Sequence, residues 1–364
     1  MTRARSDRSS RVGLVLSRVA LVLFGIVLGL GLSELVVRQT GLAPQTVLIR
    51  EGRFQLSTNP LIAYEPLPGL WDWSGQPVPP DVATIHRNRN GFRTPEIPIE
   101  KPPGTKRIVV IGDSVAEGAQ VANDELVFAR QIETRLRRAG IAIDVVNLGV
   151  VAYTTLQEVE ILKKRGLEYQ PDLVIVSYCL NDPDGYYLWA INPLLKQADG
   201  VADDTLLGED EITSALYESA LFRFVKYRVL RPPTPSLRGR KFADYPQGDT
   251  VPRAFDELAR LSREVGFQVV VVIFPLFAHE DPSFATYQQA TKHAYAAQLA
   301  ASHGFATIDL LDAFRTCQQK AGYTLAADVF HPTDEGHTCA TEAIVPALGR
   351  MFDWAAPVLT KPGA

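Results

Sequence analysis

The sequence predicts an α/β domain, a parallel sheet covered by helices on both faces, preceded by a single transmembrane helix. Three observations predict it. From Lys106 onward, short continuous runs of β-branched and aliphatic residues alternate with helical stretches, the pattern of strands buried on both faces. The first run ends at Gly112 and the second is followed by Gly149. Ahead of them, Val19 to Leu32 carries no polar side chain and follows five arginines. The 364 residues are 46% hydrophobic and 21% charged, the balance of a globular chain and not of a disordered or polytopic membrane protein. At roughly 150 residues per domain the length allows two domains, or one larger α/β domain with additions.

Residues 1–18 read as a basic cytoplasmic tail, with Arg3, Arg5, Arg8, Arg11 and Arg18 against Asp7. Residues 19–37 follow as the span. At about 1.5 Å per residue Val19 to Val37 covers roughly 28 Å, close to a bilayer core of about 30 Å. Glu34 lies near the far end, within reach of the interface. The arginine excess keeps the tail in the cytoplasm and sends the rest of the chain to the extracytoplasmic, periplasmic side. No A-x-A-like site follows, and the run exceeds a usual signal core. An uncleaved signal anchor, single-pass in the cell membrane, is therefore expected over a cleaved signal peptide. Gly25 and Gly29 form a G-x-x-x-G spacing through which two such helices can pack as a dimer.

Residues 38–105 change character. Prolines cluster (Pro60, Pro66, Pro68, Pro77, Pro79, Pro80, Pro95, Pro98, Pro102, Pro103), with Trp71 and Trp73 among them. Prolines argue against helices and the aromatics against a solvated linker, so an irregular collar packed on the main domain is expected. A turn is expected at Asn90-Gly91.

Residues 106–355 form the main domain. Strands are expected at Ile108–Ile111, Asp144–Leu148, Asp172–Tyr178, Gln268–Phe274 and Ala306–Leu310. Helices are expected at Asp124–Arg138, Thr155–Arg165, Phe255–Val265, Tyr287–Ser302 and Asp334–Phe352. An insertion, 182–250, is long for a loop at a strand end, where insertions shape substrate access. It holds Tyr186, Tyr187 and Trp189, which either stack on a sugar ring or pack. It also holds an amphipathic stretch, Leu216–Leu230, with Tyr217, Leu221 and Phe224 on one face. Arg223, Lys226 and Arg228 read there as a solvated face before a contact with anionic lipid or polysaccharide. Asp203, Asp204, Glu209, Asp210 and Glu211 lack the spacing of a calcium loop.

In such a sheet the reactive groups gather at the carboxyl ends of the strands. The first end carries Gly112-Asp113-Ser114, the second Asn147-Leu148-Gly149 and the third Asn181-Asp182. The segment before the last helix carries Asp328-Val329-Phe330-His331. Singly, each is a common turn or loop. In this order they supply a nucleophile, a backbone donor, an amide donor and an acid–base pair. Here the sequence resembles the SGNH (GDSL-type) hydrolases, over roughly Lys106 to Phe352. The resemblance implies a flavodoxin-like three-layer α/β/α fold and a Ser-His-Asp triad. It makes Ser114 the nucleophile, Asp328 and His331 its partners, and Ser114, Gly149 and Asn181 the oxyanion donors. One position departs: Cys179 stands where the family's third block usually has glycine.

Elementary chemistry fits those roles. A serine hydroxyl is a weak nucleophile and needs an adjacent base, which a neutral imidazole provides. An aspartate three residues earlier reaches the other ring nitrogen through one tight turn, fixing the tautomer. N–H groups of Ser114 and Gly149 and the Asn181 amide suit the oxyanion. No G-x-S-x-G elbow surrounds Ser114, so the common α/β-hydrolase arrangement is disfavoured. His337, beside Gly336, reads as structural.

The three cysteines form no C-x-x-C pair. In an oxidising compartment Cys317 and Cys339 would close the segment carrying Asp328 and His331, leaving Cys179 as a buried thiol. A net charge of −4 offers no basic face for nucleic acid, and neither a metal nor a cofactor is implied. The expected function is a membrane-anchored serine esterase removing a short acyl group, acetyl first of all, from a small ester or an envelope polysaccharide. The alternatives are an acyltransferase using the same acyl-serine intermediate and a catalytically idle carbohydrate-binding protein.

Overall fold

A computed structural model of the chain describes residues 3–40, 54–67, 87–199, 219–225, 229, 239–277 and 283–360. Trp71, Trp73, Pro77 to Pro80, the acids from Asp203 to Glu211, Tyr217, Lys226 and Arg228 lie outside the described residues, as do the side chains of Trp189 and Arg223. The chain divides into two compact units: Met1–Ile49 with Leu195–Gly239, and Arg50–Leu194 with Arg240–Ala364. In chain order the helices are α1 (Arg3–Thr40), α2 (Ser114–Glu117), α3 (Phe128–Arg138), α4 (Thr155–Ile161), α5 (Leu188–Asp199), α6 (Ala220–Phe224), α7 (Val251–Val265), α8 (Ala290–Ser302), α9 (Leu311–Ala321) and α10 (Asp334–Met351).

In the first unit, Ser17–Thr40 of α1 has a mean hydropathy of 2.4 and is long and apolar enough to cross a membrane. Its apolar side chains from Val19 to Val36 stand exposed. A Cβ placed on Gly25 or Gly29 would touch nothing. Val37 is buried instead, together with Ala220 of α6 and the flanking Leu221 and Phe224.

The second unit is the α/β domain. A small antiparallel hairpin joins β1 (Phe54–Leu56) to β2 (Tyr64–Pro66). The central sheet contains β3 (Lys106–Gly112), β4 (Ile143–Asn147), β5 (Leu173–Tyr178), β6 (Gln268–Ile273) and β7 (Ala306–Asp309), all parallel, in the order β4-β3-β5-β6-β7. β5 is buried at every position, and β3 and β6 at every position but the first. That two-sided burial explains why the three read as unbroken Val/Ile runs. α3 packs on α10 and α10 on α9, while α4 packs on α7 and α7 on α8, which makes three layers.

Two helix starts fall later than expected, each for a local reason, whereas α7 starts earlier than expected, at Val251. The helix expected from Asp124 is a single 3-10 turn to Leu126, then Val127 in an extended conformation, and only then α3. Asn123 caps the short turn, and the Phe128 N–H that opens α3 donates to His337 Nδ1 at 3.2 Å. α8 begins at Ala290, not at Tyr287, because the Tyr287 hydroxyl is held by the N–H of Leu276 and by His293. Of the amphipathic stretch Leu216–Leu230, Ala220–Phe224 is described as helix. The hairpin, α5 and α9 were not anticipated.

β3 is flanked by β4 on one side and β5 on the other, so the chain reverses its direction of travel across the sheet between those strands. The crevice at the carboxyl ends flanking such a switch point is where open α/β sheets bind ligands. Ser114 follows β3 and Asn181 follows β5.

Candidate active site

Ser114 is the first residue of α2, set directly on the end of β3. Asp113 caps the helix, its Oδ1 accepting the Val115 N–H at 2.9 Å. After a single turn α2 stops at Gly118, whose φ of 85° is left-handed and costs a glycine little. This short helix is held by two arginines from the segment ahead of the sheet. Arg93, 1% exposed, donates to the carbonyls of Gly118 at 2.7 Å and Val121 at 2.8 Å and pairs with Asp124. Arg87 pairs with the buried Glu117 at 2.6 Å. The Asn90-Gly91 turn lies between them, with Asn88 Oδ1 accepting the N–H groups of Asn90 and Phe92.

His331 comes from the segment before α10. Its Nε2 lies 2.8 Å from Ser114 Oγ and its Nδ1 lies 2.7 Å from Asp328 Oδ2. The other oxygen of Asp328 accepts the N–H groups of Phe330 at 2.8 Å and His331 at 2.9 Å. A bridge between Ala326 and Pro332 closes the turn. Burial would raise the Asp328 pKa, but the His331 ring and those two N–H groups together hold it below the usual carboxylate value. An ionised acceptor on Nδ1 leaves Nε2 free to receive a proton from the serine.

The three expected oxyanion donors sit in different states. Ser114 presents the first N–H of α2. Asn181 Nδ2 donates to the Tyr187 hydroxyl at 2.8 Å, and that hydroxyl donates back to the Asn181 carbonyl at 3.3 Å. An amide carries two N–H bonds, so one remains for a substrate. The Gly149 N–H is engaged: it donates to Asn147 Oδ1 at 3.0 Å, while Asn147 Nδ2 donates to the Ala116 carbonyl at 2.6 Å. A Cβ at position 149 would lie 2.3 Å from the Glu117 nitrogen, so only glycine lets this loop lie against α2.

Behind the serine lies a buried acid cluster. Burial pushes Asp113 up to about 6, against the opposing pull of the Val115 N–H and of His331. Burial and the neighbouring Asp113 push Asp182 well up, although Asp182 accepts from Thr155 Oγ1 at 2.7 Å. Glu158 is likewise pushed well up by burial and by Asp182. Cys179 is buried in the core, its thiol raised by burial and by Asp113. His337 stacks on Phe128 and is fully buried, which pushes its pKa down to about 3 and keeps it neutral. Cys317 and Cys339 form a disulfide, leaving Cys179 as the free thiol.

Sequence reading gave Arg87 and Arg93 no role, and it named Asn147 and Tyr187 without their bonds to Gly149 and Asn181. Asn147 alone carried a usable signal, being polar at the end of an apolar strand. Tyr186 donates its hydroxyl to the Leu61 carbonyl and so packs.

A parallel α/β sheet with serine, histidine and aspartate hydrogen-bonded in series at its strand ends defines the serine-hydrolase class of protein. The model of the GDSL-like lipase/acylhydrolase family matches residues 110–339, more than half of the chain, and the chain belongs to that family. It is a carboxylic ester hydrolase. No curated protein matches the sequence. Among solved structures, it is similar to the acetyl xylan esterase AlAXEase at 14% identity and a TM-score of 0.41, covering 66% of this chain and 99% of that one. An α/β hydrolase enzyme from the metagenome of Lake Arreo, Spain, is 18% identical, with a TM-score of 0.41 over 68% of this chain and 96% of its own. An acetyl-xylooligosaccharide esterase from Geobacillus Stearmophilus is 15% identical, with a TM-score of 0.38 over 67% and 94%.

Proposed function

We propose that the protein is a membrane-anchored serine esterase, periplasmic in its catalytic domain, that removes a short acyl group from a polysaccharide or small-molecule ester. The observation that carries this reading is the unbroken chain from Ser114 Oγ through His331 to Asp328, at 2.8 and 2.7 Å. Ser114 Oγ attacks the ester carbonyl carbon as His331 Nε2 takes its proton, and Asp328 stabilises the imidazolium. The carbonyl oxygen gains negative charge and is met by the Ser114 N–H and the Asn181 amide. The Gly149 N–H joins them by sharing itself with Asn147. Collapse expels the alcohol, which leaves with the proton from His331. Water, deprotonated by the same nitrogen, then attacks the acyl-serine and releases the carboxylic acid.

Two features support the substrate side. Ser114 is only 8% exposed, between the buried Asp113 and Val115, a packed floor that favours a small acyl group. Beside His331 the rim is open, with Val329 and Phe330 exposed, which accommodates a large alcohol such as a polysaccharide. The apolar, arginine-flanked α1 supports the anchor. The test is hydrolysis of p-nitrophenyl esters from acetyl to octanoyl by the full chain in detergent, beside Ser114→Ala. Fastest turnover of the acetyl ester, falling at least about 10³-fold in the variant, is expected. Equal turnover in both proteins would refute the assignment of Ser114. Acetate release from acetylated xylo-oligosaccharide tests the alcohol side.

A further inference from the structure

Glu34 is the only acid in the apolar stretch Ser17–Thr40, and it is not spent on reaching water. Its Oε1 accepts the Ala220 N–H at 2.9 Å. Its Oε2 accepts the Ser219 hydroxyl at 2.8 Å and the Leu221 N–H at 2.7 Å. Arg38, one turn further on, closes the remaining side of the carboxylate. The three donors stand at the start of α6, about 185 residues away in sequence. The opening N–H groups of a helix have no partner within it, so the carboxylate meets donors that would otherwise lack one, through charge-assisted bonds. Ser219 completes the arrangement by accepting the Phe222 N–H at 3.1 Å.

An apolar contact lies beside the polar one. Val37 is 6% exposed and Ala220 2%, with Leu221 and Phe224 packed against them. Every other large aliphatic or aromatic side chain from Val19 to Val36 is at least half exposed, so α1 is covered by protein where α6 meets it. At about 1.5 Å per residue Glu34 lies roughly 26 Å along the helix from Ser17, near the far edge of a hydrocarbon core of about 30 Å.

We infer that α1 is a permanent structural partner of the insertion and is not removed as a leader. Residues 219–225 then form a clasp that grips α1 where it leaves the bilayer, at the headgroup boundary. Removal of α1 would strip the opening N–H groups of α6 of their acceptor and uncover Ala220. This inference rests on the membrane reading of α1 and goes beyond it in fixing the fate of the helix and the position of α6.

The test uses the full chain in native membranes. N-terminal peptide mapping of the mature protein is expected to recover peptides preceding Val37, and a chain beginning after the span would overturn the inference. Val37→Cys with Ala220→Cys is then bridged by oxidation or by a short bis-methanethiosulfonate. Cys179 is buried and the other cysteines are bonded, so they do not compete. A peptide pair joined within one chain is expected, its yield falling several-fold when Glu34→Ala is added. Should Glu34→Ala fail to insert, Ser219→Ala removes one of the three donors and gives a smaller fall. No bridge, with each single cysteine freely labelled, would overturn the clasp. p-Nitrophenyl acetate hydrolysis in the same membranes separates the two ideas. An active enzyme without the bridge refutes the clasp alone; a bridged protein without esterase activity refutes the esterase reading alone.

Discussion

Arg93 donates to the carbonyl of Gly118 at 2.7 Å, tying a proline-rich segment that precedes the sheet to the end of the helix that Ser114 begins. The same guanidinium reaches Val121 and Asp124, and it is almost wholly buried. Arg93→Ala would leave two carbonyls and a carboxylate without their cation, at a cost of about 3–5 kcal/mol. Arg93→Lys retains the charge without the planar fork, and esterase turnover is expected to fall with it as α2 loosens. Urea unfolding and kcat, measured on both variants, check this; stability and turnover unchanged in both would show that the Arg93 tie to α2 is dispensable.

Asn181 and Tyr187 hold each other through the amide and the phenol. Asn181→Ala is expected to lower kcat by about 10²–10³-fold with little change in KM, the signature of a donor used in the transition state. Tyr187→Phe leaves the amide present but unheld, so a smaller loss, also in kcat, is expected. A loss confined to KM would place Asn181 in ground-state binding instead.

Two buried groups act on stability in opposite directions over the same pH range. Native Asp113 keeps its proton up to about 6, whereas the unfolded chain releases it near 3.8. Its contribution is therefore complete below 3.8 and lost as pH rises through 6, a change of about 3 kcal/mol. His337 stays neutral down to about 3, whereas the unfolded chain binds a proton near 6.5. Its contribution is complete above 6.5 and lost as pH falls to 3. Relative to wild type, Asp113→Asn should gain stability from pH 4 to pH 7, and His337→Gln should gain it from pH 7 down to pH 5. Urea unfolding at these pH values decides both signs.

The Cys317–Cys339 bridge closes a loop with a sequence separation of 22 around Asp328 and His331. The chain-entropy relation assigns such a loop about 3 kcal/mol. Cys317→Ser with Cys339→Ser should lower stability by about that amount. Denatured, unreduced wild type should titrate as one thiol, and reduced protein as all three.

The sheet and the order of its strand-end residues were legible in the sequence because both leave local marks: Val/Ile runs where both faces are buried, and polar residues at or soon after the ends of β3, β4 and β5. Ser114, His331 and Asp328 lie within hydrogen-bond reach of one another in series, although Ser114 is more than 200 residues from the other two in sequence. Gly149 shows the limit. Its position was legible, but its bond to Asn147 depends on a side-chain rotamer facing Ala116. The bonds of Arg87, Arg93 and Tyr187 were illegible because a long polar side chain leaves no periodic trace of its destination. α9 was not anticipated: Leu311–Ala321 follows directly on the expected strand end at Leu310, with no loop to mark where a helix begins.

Asp328 and His331 are three residues apart in one closed turn, with the aspartate also fastened to that turn's own N–H groups. Acid and base therefore travel together as one rigid body. In a site assembled from three separate elements, two contacts must be aligned and either can fail. Here thermal motion has a single coordinate to act on, the gap between His331 and Ser114. A displaced turn would carry its aspartate, tautomer and hydrogen bonds with it, and would be competent again as soon as that gap closed.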